Sequence, residues 1–146
     1  MPDTREDVLS NPAVPPCYVD SHMHTPLCMH AEGVPEAYAR VARARGLMGI
    51  TVTCHSPMPD GFFDYVRMRP DQLDEYVGLV EQAAQAMGEP FQVRLGLESD
   101  YFPGMEGWLD DLHRRAPFEF ILGSVHYQGP EYQERFWTGD PVTFQN

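Results

Sequence analysis

Long apolar runs are missing from this sequence, and no segment approaches the ~20 apolar residues that a membrane-spanning helix requires. The opening M-P-D-T-R-E-D lacks the basic-then-apolar form of a secretion signal. Cysteine is scarce: Cys17, Cys28 and Cys54 are odd in number and lack C-x-x-C spacing. That argues against a disulfide framework and for free thiols in a reducing compartment. Positive charge is scarce as well, with 10 Lys and Arg against 22 Asp and Glu, a formal net charge of −12 and no basic block. A chain of this kind does not hold a duplex backbone by counterion release, so generic nucleic-acid binding is disfavoured. Internal repeats and low-complexity tracts are also absent. A 146-residue chain that is 42% hydrophobic fits one globular domain, expected in the cytoplasm.

Residues 1–16 are polar, contain Pro12, Pro15 and Pro16, and read as a flexible lead-in. From residue 17 onward the pattern predicts strands near 17–20, 48–53, 92–98 and 119–124. A first helix starts at Pro35, which suits the first helical position, presents Tyr38, Val41 and Ala42 on one face, and ends at Gly46. A second starts near Pro70, with Leu73, Tyr76, Val77, Val80, Ala84 and Met87 in a 3.6-residue stripe. A third, around Met105–Arg115, carries Trp108, Leu109 and Leu112. The order β-α-β-α-β-α-β argues for parallel strands with right-handed crossovers. Four such units are about half of a (β/α)₈-type barrel of ~250 residues, so residues 17–146 read as the N-terminal half of a longer domain. An open doubly wound sheet is the alternative.

Histidine placement carries the chemistry. His22 and His24 follow the first strand, His55 the second and His126 the fourth, while Glu98 ends the third. In parallel α/β architectures these positions converge on one rim, where active sites are built. Residues i and i+2 of an extended chain project to one side, so His22 and His24 can reach one ion. Glu98 has two oxygens and can bridge two cations, which polynuclear hydrolases hold ~3.5–4 Å apart. His30 lies in the loop that follows and reaches the same rim. His113, beside Arg114 and Arg115 at a helix end, reads as a surface residue. Arg67 and Arg69 follow the second strand's loop; they read equally as bidentate phosphate holders or as solvated charges preceding a helix. Asp20 reads as a partner that orients a ligand histidine or as a strand-end acceptor.

These residues fall in strings that resemble a known family. D-S-H-M-H-T (Asp20–Thr25), His30, T-C-H-S-P (Thr53–Pro57), G-L-E (Gly96–Glu98) and G-S-V-H (Gly123–His126) resemble, in order, the motifs of the PHP superfamily, the polymerase and histidinol phosphatase group. H-T-P-L-C-M-H-A-E-G (His24–Gly33), H-S-P-M-P (His55–Pro59), R-M-R (Arg67–Arg69) and G-S-V-H-Y (Gly123–Tyr127) resemble its histidinol-phosphate phosphatase branch. The resemblance implies a distorted TIM-like (β/α)₇ barrel, of which about four βα units are present, with up to three divalent metal ions (Zn, Mn or Fe) at its rim. It implies that His22, His24 and Glu98 bind a first ion, that Glu98 and His126 bind a second, and that His30 and His55 bind a third. The family completes each site with ligands from the second half of its barrel. Cys54 stands where the family usually has an aspartate, a position beside the ligands rather than among them.

The implied activity is hydrolysis of L-histidinol phosphate to L-histidinol and phosphate, a step of histidine biosynthesis, by a hydroxide shared between ions. His22, His24 and Glu98 would act through that hydroxide, and residues 1–146 alone would be nearly inactive. A small-molecule phosphate ester is then the expected partner, without nucleic acid or membrane. Two other readings stand beside it: a metal-binding half-domain without catalysis, and a phosphoesterase of the same fold with another substrate. Sequence leaves the oligomeric state open.

Overall fold

The segment Gly49–Val52 (β2) is buried along its whole length, as its β-branched, uncharged sequence predicts for a strand covered on both faces. It is the second of four strands in a computed structural model that describes residues 18–126. The others are Val19–Asp20 (β1), Gln92–Asp100 (β3) and Phe120–Ser124 (β4). Helices Pro35–Ala44 (α1), Leu73–Met87 (α2) and Glu106–His113 (α3) fill the three crossovers. All neighbours are parallel and the sheet order is β1-β2-β3-β4. A sequential parallel order belongs to a barrel wall and not to a doubly wound sheet, whose order reverses at a switch point. The chain is therefore α/β, a curled segment of a TIM-like barrel. The lead-in, Cys17 and the stretch beyond His126 lie outside the described residues, and no helix among the described residues is long and apolar enough to cross a membrane.

The core lies between the sheet and its helices. Ile50 and Val52 of β2 and Leu95 and Leu97 of β3 join Leu73, Tyr76 and Val80 of α2 and Leu109 and Leu112 of α3. The α2 stripe is buried as expected at Leu73, Tyr76, Val80 and Met87, with Ala83 rather than Ala84 completing it. On α1 the expectation holds for Ala42 alone: Pro35, Ala39 and Ala42 form the buried face, while Val41 is exposed and Tyr38 turns its hydroxyl to the Glu32 carbonyl. Small alanines allow α1 to approach its neighbours closely, and that outweighs the larger apolar area of Tyr38 and Val41. The strand β3 also runs two residues further than the alternation predicted, to Asp100.

Two details bring β2 and β3 together just below the rim. The Tyr76 hydroxyl lies 2.8 Å from the Val52 carbonyl and 2.7 Å from the Gly96 carbonyl, so α2 is pinned across both strands. A Cβ at Gly96 would meet Thr53 Cγ2 at 2.8 Å and Thr51 Cγ2 at 2.9 Å, so only glycine lets the threonines pass there.

Candidate metal centre

Glu98 and Asp100 lie at the end of β3, His22, His24, His55 and His126 just beyond the ends of the other strands, and His30 after a turn. Beyond β1 the chain stays extended; Asp20 Oδ1 accepts the His22 N–H at 3.3 Å. Met23 and Thr53 exchange hydrogen bonds, the Thr53 N–H to the Met23 carbonyl at 2.8 Å and the Met23 N–H to Thr53 Oγ1 at 3.3 Å. His22 and His24, on either side of Met23, thereby share one face. Thr25 then caps a short turn at Pro26–Cys28, and that turn brings His30 back, its ring hydrogen-bonded through Nδ1 to the Cys28 carbonyl at 2.6 Å. A ring whose Nδ1–H is used in this way keeps its Nε2 lone pair for a ligand. Beyond β2, the Glu98 N–H donates to the Cys54 carbonyl at 2.9 Å and the Ser56 N–H to the Glu98 carbonyl at 2.7 Å, which sets His55 opposite Glu98.

The Glu98 carboxylate is the centre of the cluster and is only 2% exposed. Its Oε2 lies 3.1 Å from His22 Nε2, 3.3 Å from His24 Nε2 and 3.2 Å from His55 Nδ1; its Oε1 lies 3.4 Å from His126 Nε2. The His22 and His24 Nε2 atoms are themselves 3.3 Å apart. Ring centroids of His24 and His30 stand 4.8 Å apart, as do those of His24 and His55. Four overlapping donor sets result among the described residues, each with its ligand atoms within 4.8 Å of one another: His22, His24 and Glu98; His24, His30 and His55; His55, Glu98, Asp100 and His126; and His24 with the buried thiols of Cys28 and Cys54. All six residues expected as ligands are thus brought together.

The electrostatics suit a cation. Burial, then the neighbouring His55, His30 and His22, push His24 down to about 3, so its ring is neutral and its lone pairs are available. Burial alone would raise the Asp100 carboxyl, but hydrogen bonds from His126 and His55 and the charge of Arg67 outweigh it and hold the group well below the usual carboxylate range. Imidazole nitrogens converging on a shared, buried carboxylate are the donor set of Zn²⁺, Mn²⁺ or Fe²⁺. Cys54 lies beneath the rings: its Sγ accepts the Thr25 N–H at 3.0 Å, and the Cys28 thiol, pushed up by its hydrogen bond to Cys54 and by burial, stays protonated.

The two arginines are placed differently from each other. Arg67 is 1% exposed; its Nη1 donates to the Ser56 carbonyl at 2.8 Å and stands 3.0 Å from Asp100 Oδ2. Arg69 is on the surface, paired with Asp71 at 3.1 Å. His113 stays out of the cluster, hydrogen-bonded to Ser99 Oγ at 2.9 Å. Sequence reasoning passed over Asp100. The signal was present in E-S-D (Glu98–Asp100), since the i, i+2 rule applied to His22 and His24 places Asp100 beside Glu98.

A segment of a parallel (β/α) barrel that gathers five histidines and two carboxylates at the ends of its strands defines a class: a barrel-rim domain whose donor groups could hold metal ions. The sequence matches the PHP domain over residues 20–144, and the chain belongs to that family. It is 40% identical to a probable histidinol-phosphatase of Deinococcus radiodurans, over 80% of this chain and 48% of that protein. It is 30% identical to the histidinol-phosphatase of Bacillus subtilis, over 60% of this chain and 35% of that one. The fold matches a crystal structure of histidinol phosphate phosphatase from Lactococcus lactis complexed with zinc, L-histidinol and phosphate. The TM-score is 0.66 at 24% identity, covering 77% of this chain and 41% of that one. The chain thus spans about half the length of the D. radiodurans relative.

Proposed function

We propose that this chain carries the metal centre of a phosphomonoesterase that hydrolyses L-histidinol phosphate to L-histidinol and phosphate in histidine biosynthesis. The observation that carries the reading is Glu98, a buried carboxylate whose two oxygens are divided among His22, His24, His55 and His126. His22 and His24 with Glu98 would hold one divalent cation, Glu98 with His126 a second, and His30 with His55 a third. Zn, Mn or Fe each suit these donors. Such cations, when bound, acidify coordinated water and neutralise the non-bridging oxygens of a phosphate ester.

The chain's own residues do the positioning. Glu98 keeps the histidine nitrogens within one small volume, so that a phosphate held there meets them at fixed geometry. Neutral His24 adds no positive charge that would repel a cation. Arg67, separated from the His55 ring by the single carboxylate of Asp100, is a cation close to that phosphate; Arg69 would join it by leaving Asp71. The relatives' names and the zinc, histidinol and phosphate of the L. lactis complex support the substrate class, a small phosphate ester. The buried thiols of Cys28 and Cys54 fit a reducing cytoplasm.

A second reading, metal binding without efficient turnover, draws on coverage: the D. radiodurans relative is about twice as long as the matched stretch. One experiment addresses both readings. The purified chain is analysed for metal and assayed for phosphate release from L-histidinol phosphate with added Zn²⁺ or Mn²⁺, beside a His22→Ala/His24→Ala variant. Metal retained by the wild type and lost by the variant supports the centre. Phosphate release that follows the metal supports turnover, and metal without release favours the second reading. Equal metal content in the two proteins would overturn both.

A further inference from the structure

His126 lies two residues beyond β4, and its side chain is 44% exposed. Its ring packs edge-on against His55, with centroids 5.1 Å apart, and its nitrogens face two carboxylates. Asp100 Oδ1 is hydrogen-bonded to His126 Nδ1, and on the same ring Nε2 then faces Glu98 Oε1 at 3.4 Å.

Asp100 is in turn fixed from several sides. Ser124 Oγ donates to Oδ1 at 2.7 Å, and the Tyr101 N–H donates to the Ser124 carbonyl at 2.8 Å, so β3 and β4 hold that serine in place. On the other oxygen, Arg67 Nη1 stands at 3.0 Å and His55 Nδ1 at 3.1 Å. The Asp100 N–H donates to Ser56 Oγ at 3.2 Å. At 2% exposure the carboxylate has little access to water that could take over from these partners.

We infer that Asp100 is a positioning residue: it accepts the Nδ1–H of His126, fixes the ring's orientation and tautomer, and leaves Nε2 as the nitrogen turned to Glu98. The inference rests on the metal role proposed for His126. Arg67 acts behind it, holding Asp100 with one oxygen toward the ring. A carboxylate behind a ligating histidine aligns the ring and raises its basicity, and losing such a partner costs 10–100-fold in metal affinity. With Asp100→Asn the shape is kept and the proton direction reverses. The amide oxygen turns to Arg67 and the amide N–H to His126 Nδ1, so the ring proton moves to Nε2, the atom that should bind.

The test is a long-range ¹H–¹⁵N correlation spectrum of the metal-free chain with ¹⁵N-labelled histidine, recorded at a pH where His126 is neutral, together with zinc titration. In the wild type, His126 should carry its proton on Nδ1. In Asp100→Asn the proton should shift to Nε2, and the affinity of the site containing His126 should fall about 10–100-fold. A wild-type ring protonated on Nε2, or an Asp100→Asn variant that binds zinc within twofold of wild type, would overturn the inference. Should Asp100→Asn fail to fold, the wild-type tautomer still decides. Failure of the wild type to bind zinc at all would count against the metal reading instead, with the tautomer again deciding the role of Asp100.

Discussion

His55 and Glu98 are joined twice. Their backbones form a parallel bridge beyond the end of β2, and their side chains meet with Nδ1 3.2 Å from Oε2. The ladder between β2 and β3 therefore continues into the site itself, so the spacing of these two side chains is set by backbone hydrogen bonds rather than by loop conformation. Sites carried on rigid strands hold their geometry better than sites on loops.

Tyr76 is the nearest support of that ladder. It is fully buried, with its hydroxyl between the carbonyls of Val52 and Gly96, and the Cys54 N–H lies 3.4 Å from the same oxygen. Tyr76→Phe removes the shared partner of these groups and should cost about 1–3 kcal/mol. Urea unfolding would show this as a lower midpoint with an unchanged slope. An unchanged midpoint would mean that the carbonyls find other partners.

The arginines should separate by experiment. Arg67→Ala leaves Asp100 buried without its guanidinium, and breaking a buried pair costs about 3–5 kcal/mol. Arg69→Ala loses only an exposed pair with Asp71, worth about 0–1 kcal/mol. If Arg69 takes up phosphate, its loss raises KM for L-histidinol phosphate and spares kcat. Thermal unfolding and steady-state kinetics of the two variants give both readouts, and equal destabilisation would contradict the burial argument.

Acid should weaken the metal-free fold through His24. Its folded pKa is pushed down to about 3 from an unfolded value of 6.5, so below 6.5 the unfolded chain takes up a proton that the folded chain refuses. The contribution is complete above 6.5 and is lost as pH falls toward 3. His126 works in the opposite direction: its hydrogen bond to Asp100 raises it, so its contribution is present at low pH and lost as pH rises through its folded pKa. Comparison with His24→Gln isolates the first effect. In chelator-treated samples, the drop in Tm between about pH 7.5 and about pH 5 should be smaller in the variant. Identical drops would show that His24 is not the group responsible.

Much of this was legible in the sequence, for identifiable reasons. The alternation of strand and helix, and the recurrence of His or Glu just past successive strands, follow from local pattern, so the parallel wall and the convergence of His22, His24, His55, Glu98 and His126 could be read directly. What escaped depends on partners distant in the chain. Ala39 was overlooked, and Tyr38 and Val41 were placed beside Ala42 on the buried face of α1, because close approach, not side-chain size, decides that face. An arginine in a loop reads equally as a phosphate holder or as a solvated charge, and the burial of Arg67 rests on distant partners that include the Ser56 carbonyl and the carboxylate at position 100. Asp100 itself was missed because the strand was ended at Glu98, two residues early.

The most direct measurement is a zinc titration of the wild-type chain against Glu98→Gln, followed calorimetrically on folded, metal-free protein. Glutamine keeps the shape but lacks the shared negative charge, and the loss of even an outer partner costs 10–100-fold in affinity. Zinc should bind the wild type, and Glu98→Gln should weaken that binding at least ~100-fold. Unchanged stoichiometry and affinity in Glu98→Gln would contradict the role of Glu98 as the shared ligand on which the centre is built.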